Sequence, residues 1–219
     1  RDKQNNKTTK QQNNKTKQQQ NNNKTTTTTK MAMKPGNIDI EKVSFSAPKT
    51  LDNGGKMLFL NYNGGINPIY MQTPEVELPF DPSYYADNET SGKFSIKVSL
   101  KNLDSNPKMK ELHSFLVSLD DYLISNAREN SQAWFKKPKL SIDTIKELYT
   151  PMVKVHLDPE SGEPTGKYPD QFGFKIVKKH NKFDKLSVYN EKKEVFDIDR
   201  TTDNPTDITN VLMKGAQVK

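Results

Sequence analysis

Between Lys93 and Arg128 the spacing of the apolar residues changes period. In KFSIKVSL, Phe94, Ile96, Val98 and Leu100 alternate with Lys93, Ser95, Lys97 and Ser99. Period two over eight residues predicts a half-buried strand. After Asn106-Pro107 the apolar residues fall at threes and fours: Met109, Leu112, Leu116, Leu119 and Leu123. Asn106 is a suitable N-cap and Pro107 a suitable first helical residue. A helix from Pro107 to about Arg128 is predicted, with Lys110, Glu111, Ser114 and Asp121 on its outer face. Helices do not alternate with strands elsewhere in the chain, which excludes a doubly wound α/β fold.

The remaining segments are short and punctuated by turn formers. Ile38, Ile40, Val43 and Phe45 open the apolar pattern, and KMLFLNY (56–62) reads as a strand that stops at Asn63-Gly64-Gly65. Ile69–Met71 reads as a second short strand, and Pro74, Pro79 and Pro82 keep the next stretch extended. Ser141 or Asp143 caps a short helix over 141–149. In MVKVHLD (152–158), Val153, Val155 and Leu157 are expected inward, with a hairpin loop at 158–166 and the returning strand at 172–179. A strand pair is expected at 186–190 and 194–199, then a short helix over 206–213, and a last strand opening at GAQVK. This order gives a mainly β fold, an antiparallel Greek-key barrel or small sandwich with one long helical insertion.

Charge divides the chain more sharply than hydropathy does. Of the 34 basic and 27 acidic residues, eight and one respectively lie in residues 1–33, which leaves 26 of each sign in residues 34–219. The formal charge of +7 and the pI of about 9.3 therefore belong to the first 33 residues. That tract is nearly all Gln, Asn, Lys and Thr; it cannot bury enough apolar surface to offset its ordering entropy and is expected to be a disordered tail. A net-neutral domain over 34–219 binds polyanions only through a local patch. The absence of cysteine excludes disulfides, thiolate zinc sites and a cysteine nucleophile, and agrees with an intracellular protein. No apolar run approaches the roughly 18 residues of a membrane span, and no signal-peptide core is visible. GAQVK stops inside a strand pattern, so the domain is expected to continue past Lys219.

No catalytic set emerges. His113, His156 and His180 lack metal-ligand spacing, and neither a phosphate-cradling glycine loop nor a nucleophile-elbow motif occurs. Asp120-Asp121 and Asp197-x-Asp199 have the composition of a magnesium site, as in a nuclease, but solvated surface charge accounts for them better. The expectation is a protein without enzymatic activity, metal or cofactor.

Aromatic and basic residues are mixed in two places. Trp134, the one tryptophan, is followed by Lys136, Lys137 and Lys139 around Pro138. Further on, Tyr149, Lys154, Tyr168, Phe172, Lys175, Lys178 and Lys179 lie on and around the predicted 152–179 hairpin. Unpaired bases stack on aromatic rings for about 1–3 kcal/mol each, and lysines release counterions from phosphates. The same residues also suit a core: Phe172 and Phe174 share a strand face, and Trp134 with Phe135 would plug the base of the long helix.

Several phrases resemble a known family. VELPFDPSYY (76–85), KFSIKVSLKN (93–102), FLVSLDDYLI (115–124), YTPMVKVHLDPESGEPTGKYPDQFGFKIV (149–177) and LMKGAQVK (212–219) are similar to the single-stranded DNA-binding proteins of nucleocytoplasmic large DNA viruses. That group is itself similar to the short-tailed phage single-stranded DNA-binding protein. The resemblance covers about residues 38–219. It implies an OB-fold-like barrel with an inserted helix and sequence-independent binding of single-stranded DNA during replication, recombination or repair. It also implies replication partners recruited through a C-terminal tail beyond Lys219, and residence in a host cytoplasmic virus factory or the host nucleus. A homodimer is left open. The expected DNA-binding residues are Trp134, Lys136, Lys137, Lys139, Tyr149, Lys154, Tyr168, Phe172, Lys175, Lys178 and Lys179. The alternative is a non-enzymatic β-barrel structural or scaffold protein of such a virus, with the aromatics in its core.

Overall fold

In a computed structural model of the chain, residues 32–183, 185–199 and 206–219 are described. The expected tail therefore lies almost wholly outside the described residues. Two 3-10 turns, Pro35–Asn37 and Ile40–Lys42, lead into β1 (Val43–Phe45), β2 (Lys49–Thr50), β3 (Lys56–Met57) and β4 (Leu60–Tyr62). Next come β5 (Val76–Glu77), β6 (Ser83–Ala86) and β7 (Gly92–Ser99). The helices α1 (Pro107–Glu129), α2 (Ser131–Phe135) and α3 (Ile142–Leu148) precede β8 (Val153–Lys154), β9 (Gln171–Lys179) and β10 (Lys182–Phe183). The described chain closes with α4 (Ile208–Val211) and β11 (Gln217–Val218).

The change of period is realised as predicted. The side chain of Asn106 accepts from the Met109 amide at 3.3 Å and starts the 23-residue helix α1 at Pro107. In β7, Ile96 and Val98 are sealed, while Lys97 is exposed. Their buried face meets Met109, Leu112, Leu116 and Leu119 of α1, together with Val76, Leu78 and Leu100. Each such side chain, fully buried, contributes about 1.5–3 kcal/mol, so this seam is the principal stabilising contact of the fold. The C-terminal turns of α1 serve a second, smaller cluster in which Ile124, Ala127 and Ile145 are packed by Trp134, Leu140, Ile142 and Tyr149.

The sheet is antiparallel and open. Strands β7 and β9 pair over eight residues, from Gly92↔Lys178 to Ser99↔Gln171. The outer edge of β7 is shared by β6 and β5, with β11 beyond β5; the outer edge of β9 is shared by β8 and β10. Strands β1–β4 and β2–β3 form two separate small pairs. The closed barrel expected from the sequence is thus corrected: among the described residues the path β10-β9-β7-β5-β11 has two free ends. Apart from β7 and β9, every strand has only two to four residues, too few to wrap a sheet onto itself. Pro74, Pro79 and Pro82 limit β5 and β6 by withholding amide donors.

Other expected strands shrink for similar reasons. KMLFLNY divides into β3 and β4 at Leu58-Phe59, leaving Phe59 exposed. The 152–158 alternation yields only β8; Val153 is buried, but Val155 and Leu157 are exposed on a projecting hairpin arm closed by a bridge between Leu157 and Pro164. The 186–199 pair is reduced to one bridge, Tyr189↔Val195, and Ile69–Met71 to one parallel bridge, Met33↔Met71. That last bridge places Met33, expected in the tail, against the domain. Among the described residues no helix is long and apolar enough to cross a membrane.

Candidate nucleic-acid interface

Residues directly opposed across an antiparallel ladder share a face. Because Ile96 and Val98 point into the core, Lys97 and its opposite, Gly173, point out; so do Ser95 with Lys175, and Lys93 with Val177. Strand β6 adds Tyr85 opposite Lys93, and β8 adds Lys154 opposite Gln171. The outer face of the sheet therefore carries Lys93, Lys97, Lys154 and Lys175. Tyr85 is 57% exposed beside them, and the 52% exposed Phe80 has its ring centroid 5.7 Å from the Lys97 Nζ. Lys93 is paired with Asp87 at 3.6 Å. Among the described residues, Lys97, Lys154 and Lys175 have no carboxylate within the 4.0 Å of an ion pair.

These three free cations rim a groove of about 340 Å³. Its floor is Ser95 and Gln171–Lys175, with Phe172 and Phe174 contributing from the side. Its far wall is the segment 150–152 that joins α3 to β8. That wall is fixed by a buried group. The Asp120 carboxylate, on the inner face of α1, accepts the Met152 amide at 3.0 and 3.1 Å and the Tyr149 hydroxyl. Burial, and then this bond to Asp120, push the Tyr149 phenol well above its ordinary range.

The groove runs along a gap in the sheet. On the side of β9 away from β7, β8 covers Gln171 and Phe172, and β10 covers Lys178 and Lys179. The Leu100 amide donates to the Asp170 carbonyl at 2.8 Å, which sets the phase of the β7–β9 ladder. By the alternation of such ladders, the backbone N–H and C=O of Gly173, Lys175 and Val177 point to the edge that, among the described residues, no strand covers.

The expected site residues divide. Lys154, Phe172 and Lys175 line the groove. Phe172 does so from the core side, where it is half-buried opposite Val98. Lys179 shares the outer parity at the far end of β9, but Lys178 points to the other face, its Nζ 6.0 Å from the Phe183 ring centroid. Tyr149 is held by its hydroxyl's bond to Asp120 and does not line the groove. Tyr168 stands on the projecting hairpin, edge-on to His156 at 4.8 Å with the Lys167 Nζ 5.4 Å from its centroid. Asp158 staples that hairpin's loop by accepting from the Glu160 and Ser161 amides, and these bonds hold its carboxyl below the usual carboxylate range.

Trp134 lies elsewhere. It sits in α2, half-buried, its ring edge-on to Phe45 at 4.9 Å, and Phe45 stacks in turn on Tyr122. Lys136 adopts a left-handed φ of 58° that ends α2, and Lys136, Lys137 and Lys139 are exposed. Trp134 and Lys136 border a different hollow, with Gly54, Gly55, Lys56 and Leu58, which shares no lining residue with the groove. Of the acidic pairs, Asp120 serves as above and Asp199 accepts the Phe183 amide at 2.8 Å.

Sequence reasoning missed Phe80, Tyr85, Lys93, Lys97 and Gly173. The signal was present for two of them, since the alternation of β7 already placed Lys93 and Lys97 on the polar face. Phe80 and Tyr85 follow only from the pairing of β6 with β7. No protein-family model, curated protein or solved structure matches the chain.

Proposed function

We propose that the chain binds single-stranded DNA without strong sequence preference, as a non-enzymatic protein acting in replication, recombination or repair. The observation that carries this proposal is the outer sheet face: Lys97, Lys154 and Lys175, none neutralised by a carboxylate among the described residues, rim a groove with apolar walls, and the same face carries the exposed rings of Phe80 and Tyr85. Rings offer stacking area to any base, and unpaired lysines offer phosphate contacts whose strength falls with salt. An OB-like reading of the sheet is proposed with it. Its support is a sheet antiparallel in all its named strands, with a long helix lying between two neighbouring central strands.

The basic N-terminal tract holds polyanions weakly on its own, so the test uses the full chain in three forms. These are the wild type, a variant with its lysines up to Lys30 changed to Gln, and a variant carrying Lys97→Glu and Lys175→Glu. Fluorescence anisotropy with labelled oligo-dT, against duplex competitor and across salt, reads the outcome. The tail variant is expected to keep its preference for single strands, and the face variant to lose at least tenfold in affinity. A face variant that binds as tightly as wild type overturns the proposal.

A further inference from the structure

Two glycines of the central sheet differ in why they are glycine. At Gly92 a Cβ would lie 2.5 Å from the Tyr84 hydroxyl and 2.6 Å from the Tyr85 carbonyl, so packing demands its absence. At Gly173 the backbone is ordinary strand, the only neighbour a Cβ would meet among the described residues is the Ile96 carbonyl at 3.5 Å, and that is normal contact. Glycine in a strand interior weakens it, and the fold obtains nothing in return at this position. What the missing side chain leaves is space: Gly173 is exposed on the groove floor, directly opposite Lys97, with Phe174 and Met152 to the sides.

We infer that Gly173 floors a slot that receives one unpaired nucleobase, its phosphates held by Lys97, Lys154 and Lys175. This rests on the single-strand reading above and goes further, because it makes the base, and not only the sugar-phosphate chain, a recognised part of the ligand. Three features fit a nucleotide better than an apolar ligand. The rim is cationic. Pro151 and Met152 supply an apolar wall that suits the face of a ring, and Phe174 reaches the groove from the same side as Phe172. The uncovered edge of β9 presents backbone N–H and C=O groups at Gly173 and Lys175 to the polar edge of a base, and every base carries donors or acceptors there. A paired base is stacked within its duplex and cannot enter, so the slot also gives the face a reason to prefer single strands.

The test sets Gly173→Val and Gly173→Ala in the full chain against two probes of equal phosphate count, oligo-dT and an oligonucleotide of abasic spacers. Valine suits a strand, and its Cβ meets only ordinary contact with the Ile96 carbonyl among the described residues, so the melting temperature is expected to hold or rise. Affinity for oligo-dT is expected to fall about tenfold in Gly173→Val and less in Gly173→Ala, with the salt dependence unchanged. The abasic probe should bind wild type and Gly173→Val alike. Unaltered oligo-dT binding by Gly173→Val, or an equal loss on both probes, overturns the slot. If Lys97→Glu with Lys175→Glu still abolishes binding in that case, the single-strand reading survives; if those changes are also silent, it falls as well.

Discussion

Asp120 grips Met152 with both carboxylate oxygens: the amide of Met152 lies 3.1 Å from Oδ1 and 3.0 Å from Oδ2, and the Tyr149 hydroxyl donates to the same Oδ1. A buried charge at the middle of the long helix thus holds the segment that walls the groove on the far side of the sheet. Replacing Asp120 by Ala removes the acceptor and leaves two part-buried donors without a partner. A stability loss of about 3 kcal/mol is expected from urea unfolding. Oligo-dT affinity of the folded fraction should fall with it, because the wall at Thr150–Met152 is no longer held.

Tyr149 gives the same contact a pH signature. Its folded-state pKa is raised by burial and by the bond to Asp120, so the neutral phenol is the form the fold stabilises. Below about pH 10, the ordinary pKa of tyrosine, both folded and unfolded chains hold that neutral form and the contribution is whole. Above it the unfolded chain ionises while the folded one resists, and stability is lost as pH rises further. Urea midpoints should therefore decline above about pH 10, and Tyr149→Phe should flatten that decline while costing about 1 kcal/mol at neutral pH.

Trp134→Ala distinguishes packing from binding at the end of α1. The ring is half-buried against Phe45 and the Ile124–Ile145 cluster, so truncation should cost about 2 kcal/mol, less than for a fully buried tryptophan. Anisotropy titration corrected for the folded fraction should then show oligo-dT affinity within twofold of wild type. A stable variant with weakened binding would return Trp134, with Lys136, Lys137 and Lys139, to the interface.

The two sheet glycines should respond in opposite ways to the same substitution. Gly92→Ala forces a methyl into the Tyr84 ring and the Tyr85 backbone, and should lower stability by about 1–3 kcal/mol. Gly173→Ala should leave stability unchanged or raise it by a few tenths of a kcal/mol. Thermal melts of the two variants side by side check this.

The elements legible in the sequence were those whose own periodicity is long enough to fix a face. Eight residues of alternation located β7, and five apolar residues at helical spacing, with an Asn-Pro start, located α1 to within a residue at its C-terminal end. Ser141 was likewise legible as a cap, accepting from the Thr144 amide at 3.1 Å. What failed was decided by partners distant in sequence. Val155 and Leu157 alternate like a strand, but β9 offers them no ladder, because the hairpin leaves the sheet after Lys154. Phe172 reads equally well as a stacking ring or a core ring until its register against Val98 is known. The groove joins β7, β8, β9 and the approach to β8, and no local pattern announces that these meet. Tyr149 looked like a binding tyrosine because its tether, Asp120, lies 29 residues away.

The uncovered stretch of β9 bears on how copies of this chain behave when crowded. A bare strand edge is a template for polymerisation, since a second copy can extend the sheet through it. Here the bare stretch is short, capped at both ends by β8 and β10, and centred on Lys175. Two copies meeting antiparallel about that residue would bring their ammonium groups together, and extension along the edge would meet β8 or β10 within three residues. The short length of the bare stretch and the repulsion at Lys175 therefore oppose sheet extension by a second copy.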